Sequence, residues 1–194
     1  MLKGKYVFDK SNSLEAESFV VKSRSLILSA IDHIDYQVFF YVKGRIRTTE
    51  IYPNKPFDLE VVSIDSANFN GGPFEIQRKG NLLKITYQEN QTEVSKEYPY
   101  NQVINLKGNH IIVHPTDNDD DSSYEFKINR KEDLLGRFLG NLSTREVTKG
   151  SNIMAIAVLD QNPRFASDAV NAILQAYVEF DTDERSQSAT QIIQ

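Results

Sequence analysis

Between Tyr36 and Arg130 the chain is a succession of short β-prone runs, each closed by a turn signal, at a spacing of about ten residues. The first three are YQVFFYV (Tyr36 to Val42), RIRTTEIY (Arg45 to Tyr52) and FDLEVVSI (Phe57 to Ile64). FEIQRK, LLKITYQ, TEVSKEYPY, VINLK, HIIVHP and SYEFKINR follow. Lys43-Gly44 turns the first run into the second as a hairpin, while Pro53 and Pro56 interrupt pairing before the third, because proline has no N–H to give to a ladder. Asn68 to Pro73 is turn chemistry, and Gly108-Asn109 joins VINLK to HIIVHP as a tight hairpin. This pattern excludes a helical bundle and demands a β-rich body.

The flanks read differently. From Asn12 to Ile34, Phe19, Val20, Leu26, Ile27, Ala30, Ile31 and Ile34 recur at helical steps, and Asn12 with Glu15 has the spacing of a capping box. KEDLLGRFLGNL places Leu134, Leu135, Phe138 and Leu139 on one helical face. Leu142 to Val147 has strand texture. The run from Asn152 to Leu159 is apolar toward both sides, the mark of a strand in the middle of a covered sheet. Asn162 then caps, Pro163 takes the first helical position, and Ala166, Ala169, Val170, Ile173, Leu174, Tyr177 and Val178 form one stripe. After Phe180 the sequence turns polar. A helix from Pro163 to Gln194 is roughly 48 Å long, more than a domain of this size needs, so its end is expected to leave the body. Helices at both ends of a run of strands define an α+β fold: a mixed or antiparallel β-rich body with an N-terminal helix and a long C-terminal helix packed on the sheet. The expected organisation is one domain over residues 1–194, with an inserted β-rich region at about 57–130.

Composition narrows function by exclusion. A net charge of −5 argues against nucleic acid, whose binders carry a basic stripe. With no cysteine there are no disulfides, thiolate metal sites or cysteine nucleophiles. No apolar run is long enough to span a bilayer, and MLKGKYVFDK lacks a secretory apolar stretch, so this piece reads as soluble, with membrane segments expected outside it.

The chemistry-bearing residues are dispersed. His110 and His114 share one face of one strand but stand about 13 Å apart, too far for a single metal. His33, at a helix end, suits the negative end of the dipole. Asp117, Asp119 and Asp121 occupy the first, third and fifth places of a calcium loop, yet Ser122 replaces its glycine and Ile128 its bidentate glutamate. A solvated turn is the reading for that loop. Nucleophile-elbow, SxxK and glycine-rich phosphate-binding signatures are missing. Lys43, Arg45 and Arg47 alternate along the hairpin near Tyr36, Phe40, Tyr41 and Tyr52. They form either a carbohydrate or polyanion surface, with Arg45, Arg47 and Tyr41 the glycan candidates, or an edge strand guarded by charge. No cofactor, metal or catalytic residue is assigned.

SNIMAIAVLD, the Asn162-Pro163 turn, the small-residue helix with Ala166, Ala169, Asn171 and Ala172, the aromatic in AYVEF and the polar ERSQSA resemble the end of the periplasmic region of Wzz-type chain-length determinants. ESFVVKSRSLILSAIDHI followed by YQVFFYVKGRIRTTEIYPNKPF is similar to the capsular tyrosine autokinase branch of these polysaccharide co-polymerases. Val61 to Ser123 matches in texture only. The resemblance implies two membrane helices outside this piece, flanking a base on the periplasmic side of the Gram-negative inner membrane. It also implies long helices rising from that base, and a homo-oligomeric ring that sets the chain length of capsule, exopolysaccharide or O-antigen. Expected partners are further copies of the chain, a polysaccharide polymerase and outer-membrane export components. Asn152, Asn162, Pro163, Asn171, Tyr177 and Arg185 are then the residues expected to shape and assemble the arm. The phosphate-binding loop and tyrosine tail of the autokinases are not present, so kinase activity is not expected of this piece. The competing reading is a periplasmic or surface carbohydrate-binding module; a hydrolase working through paired carboxylates is a third.

Overall fold

The computed structural model describes the backbone of residues 10–116, 122–148 and 153–192, and side chains from 14 to 186 within those ranges. Contacts cluster into two units, residues 35–130 and residues 1–34 with 131–194.

In the first unit, β1 (Val38–Lys43) and β2 (Thr48–Glu50) form the expected hairpin, with Tyr41 opposite Glu50 and Lys43 opposite Thr48. Beyond Pro53 and Pro56 the chain cannot extend the ladder, and β3 (Asp58–Ser63) joins a different sheet. β4 (Phe74–Lys79), β5 (Leu82–Glu89) and β6 (Thr92–Pro99) then run as a meander. β7 (Ile104–Leu106), β8 (Asn109–His114) and β9 (Tyr124–Ile128) complete the unit. The strands form a six-stranded sheet in the order β2-β1-β9-β4-β5-β6 and a three-stranded sheet in the order β3-β8-β7, and every described pairing is antiparallel.

Period-two alternation sends one face of each sheet into a shared core. Val38, Phe40, Ile76, Leu83, Ile85 and Phe126 from the larger sheet cluster with Leu59, Ile104, Leu106, Ile111 and Val113 from the smaller. Phe126 is central, with ring centroids 6.0 Å from Phe40 and 5.3 Å from Phe74. The expected turn at Gly108-Asn109 sits one residue earlier. Lys107 (φ 52°) and Gly108 (φ 88°) make it, and Asn109 opens β8 opposite Leu106. The reason is that Asn109 is fully buried, its Nδ2 donating to the carbonyls of Asn70 (2.7 Å) and Leu106 (3.2 Å), a role incompatible with an exposed turn tip.

The second unit holds α1 (Lys10–Val21), α2 (Arg24–Asp32), α3 (Lys131–Asn141), the hairpin β10 (Leu142–Glu146) and β11 (Met154–Val158), and α4 (Pro163–Ile192). The single helix expected from Asn12 to Ile34 is two. Ser23 adopts an extended conformation (ψ 144°), and its Oγ accepts from the Leu26 N–H, so a serine that competes with the backbone caps a new helix instead of continuing the old one. The expected cap at Asn12 is not formed: α1 begins at Lys10, so Asn12 lies within the helix, and its side chain is outside the described residues. Leu26, Ile27, Ala30 and Ile31 of α2 are buried, as are Leu134, Leu135 and Phe138 of α3. Leu139 is exposed.

The expectation of a covered central strand fails at β11. It pairs only with β10 among the described strands, none of its residues is fully buried, and Leu159 just beyond it is 78% exposed. In Met-Ala-Ile-Ala-Val the alternate positions are alanines, apolar by composition but covering almost no area. An apolar sequence on both faces therefore does not require two covered faces.

Candidate functional site

The start of α4 is fixed by a network of side-chain contacts. The Arg137 guanidinium grips Asp160 with two bonds, Nη2 to Oδ1 at 2.7 Å and Nε to Oδ2 at 2.8 Å, and lies 3.6 Å from the centroid of the Phe165 ring. Asp160 Oδ1 also accepts from the Asn162 N–H at 2.8 Å. Burial pushes the Asp160 carboxyl up, but the Arg137 hydrogen bonds, the N–H groups of Asn162 and Gln161 and the Arg137 charge outweigh it, so its pKa lies below the ordinary value. Asn162 in turn caps α4: its Oδ1 accepts from the N–H groups of Arg164 (3.0 Å) and Phe165 (3.1 Å), and exposed Pro163 follows. Helix α3, the end of β11 and the first turn of α4 are thus tied to one guanidinium.

Along α4 the buried residues are Phe165, Ala169, Ala172, Ile173 and Ala176, and α2 is the helix packed against them. The apolar stripe read from sequence is only partly the buried one, since Leu174 and Val178 are exposed while Phe165 is fully covered. Asn171 is exposed. Tyr177, half-buried, donates its O–H to the Glu17 carboxylate on α1; desolvation and that carboxylate push its pKa up to about 12. Farther on, Thr182 to Ser186 are all exposed, and Arg185 is paired along the helix with Asp181 at 3.0 Å. Asn152 lies outside the described residues. The assembly candidates therefore mark a line along one helix instead of converging on a pocket. Arg137 and Asp160, which aim that helix, were not singled out in sequence; the only trace is an arginine amid the apolar face of KEDLLGRFLGNL.

In the other unit the basic hairpin resolves into a tip. Because β2 begins at Thr48, Arg45 and Arg47 belong to the connecting turn and guard no strand edge. The aromatic residues near them in sequence are engaged elsewhere. Phe40 is buried, Tyr52 packs edge-on against Phe39 with centroids 5.8 Å apart, and Tyr41 carries the Lys127 ammonium 5.2 Å from its ring centroid.

His110 and His114 share the outer face of the three-stranded sheet, each with its own partners. His110 Nδ1 meets Ser63 Oγ at 2.9 Å and its Nε2 meets the Asn105 amide at 3.4 Å; His114 bonds Asn101 Oδ1 at 2.8 Å, with Glu60 at 3.5 Å. The Ser63–His110 pair has the spacing of a nucleophile and base, but an amide stands where a carboxylate would orient the ring. Ile128, the residue in place of a calcium-loop glutamate, is buried in β9, and the aspartates 117, 119 and 121 lie outside the described residues. No group of three or more metal-ligating residues occurs among the described residues, and no described helix is long and apolar enough to cross a membrane.

No known family model matches the chain, and no curated protein is detectably similar to it.

Proposed function

We propose that the chain is the base of a periplasmic assembly that governs the length or export of capsular, exo- or O-antigen polysaccharide, working as a polysaccharide co-polymerase by geometry and not by covalent chemistry. The observation that carries this reading is α4: it is anchored at Asn162, packed through Ala176, and continues for four more turns to Ile192, with Thr182 to Ser186 exposed. A rod aimed by Arg137 and Asp160 is a suitable root for a helical arm, and exposed Leu174 and Val178 offer surface to neighbouring copies in a closed ring. Its partners on this reading are itself, a polymerase and outer-membrane export components. The test is deletion of the gene in its host, followed by complementation with wild type and with Asp160→Ala. The expected result is an altered distribution of polymer lengths on deletion, restored by wild type and not by the variant. Unchanged polymer length on deletion would sink the reading.

A carbohydrate-binding module is supported by a separate observation, the polar sheet face on which Ser63, Asn105, His110, Asn101 and His114 are held by mutual hydrogen bonds. Calorimetric titration of the chain with the purified native polysaccharide distinguishes it: saturable binding lost in His110→Ala favours the module, and no heat favours the assembly.

A further inference from the structure

The tip of the β1–β2 hairpin combines an exposed apolar side chain with a cluster of cations. Ile46 is 99% exposed, the highest value of any large apolar side chain described; the next, Leu159, is at 78%. On either side stand Arg45 and Arg47, with Lys43 at the end of β1, all exposed and all without a side-chain partner among the described residues. A chain with a net charge of −5 thus carries three exposed cations within five residues. The turn is tightly built. The Gly44 N–H donates to the Arg47 carbonyl at 3.0 Å, and a Cβ on Gly44 would stand only 2.8 Å from that same oxygen. Glycine lets the turn close without a clash against that carbonyl.

We infer that this tip is a membrane-surface contact: Ile46 inserts into the boundary between headgroups and acyl chains of an anionic phospholipid bilayer while Lys43, Arg45 and Arg47 hold the phosphates around it. An isoleucine gains by leaving water, and arginine can keep its guanidinium at the headgroup level while its stem follows the apolar residue inward. Guanidinium groups match phosphate oxygens with paired hydrogen bonds. A soluble anionic polymer would satisfy the cations but leave Ile46 in water, so the exposed isoleucine favours lipid. Each cation at an anionic surface is worth about fivefold in affinity, so three supply about two powers of ten at low salt, opposed by repulsion of the acidic remainder. The contact is therefore local and weakens as salt is added. It stands independently of the polysaccharide reading.

The test uses the 194-residue chain with vesicles of mixed phosphatidylglycerol and phosphatidylethanolamine, and with phosphatidylcholine vesicles for comparison. Wild type should sediment with the anionic vesicles and not with phosphatidylcholine. Arg45→Ala with Arg47→Ala together should weaken this about twentyfold or more, and Ile46→Ser severalfold, with circular dichroism unchanged because all three side chains are exposed. The chain contains no tryptophan, so Ile46→Trp supplies a single reporter, whose emission should shift to the blue on anionic vesicles and be quenched by brominated acyl chains. Failure of wild type to bind, binding that survives loss of both arginines, or a tryptophan whose emission does not move would each overturn the proposal. So would equal affinity for soluble polygalacturonate that Ile46→Ser leaves intact, which would reassign the tip to soluble polyanions.

Discussion

The two units bury apolar surface with different side chains. The β-rich unit is filled with large rings: Phe40, Phe57, Phe74 and Phe126 are all essentially inaccessible and touch one another or a tyrosine. The helical unit buries mainly aliphatic side chains such as Ile27, Ile31, Leu134 and Ile173, together with Ala30, Ala169, Ala172 and Ala176 and, among the described residues, only two phenylalanines, Phe138 and Phe165, while Leu174, Val178 and Phe180 remain exposed. Rings supply area and fill a closed core; alanines let helices approach closely but leave little area buried. Ring packing should therefore dominate stability in the first unit, whereas in the second aliphatic packing is supplemented by the polar contacts that hold α4 in place.

The sharpest test of this contrast is Phe126→Ala, which opens a void between Phe40 and Phe74 and should cost about 3–5 kcal/mol, read from the urea unfolding midpoint. A cost below that of the polar substitution at Asp160 would break the comparison. Next is Asp160→Asn, which loses a bidentate charged pair and should cost about 2 kcal/mol. Because the Asp160 pKa is depressed in the folded state, its stabilisation is complete above the unfolded carboxyl value near roughly 4 and is lost as pH falls through the folded value. The variant should accordingly be less sensitive to acid than wild type. Asn162→Ala removes the cap accepted by two N–H groups and should cost about 1 kcal/mol.

Smaller still is Tyr177→Phe, at about 0.5–1 kcal/mol for a half-buried hydroxyl. With its pKa raised to about 12, Tyr177 contributes fully below the unfolded value near roughly 10 and loses that contribution as pH rises through 12. Ultraviolet titration should show one late phenolate that the variant lacks. Arg185→Ala, on an exposed helical pair, should cost at most about 0.5 kcal/mol. A larger loss in the isolated chain would mean that this stretch is packed after all, against the projecting-arm reading.

Much of this architecture was legible from local signals. Alternation located the strands from Phe74 to Glu89, and the Asn162-Pro163 pair marked the start of α4. Pro53 and Pro56 announced a break in pairing, though not that β3 would cross to another sheet. The misreadings have a common cause. Ser23, Gly108-Asn109 and the Asn152 to Leu159 run each present a local pattern compatible with two structures, and the choice depends on what packs against them. For Asn109 it was the carbonyls of Asn70 and Leu106, the first 39 residues away in sequence.

By itself, then, the amino-acid order determined which segments are helix or strand, since backbone propensity, proline and capping act within a few residues. It also determined that the hairpin bears a cluster of cations. Only tertiary structure decided that β1 through β9 divide between two sheets, that Arg137 and Asp160 orient α4, and that Ile46 stands in water at a tip. Those outcomes depend on contacts between residues distant along the chain, whose geometry no local pattern encodes.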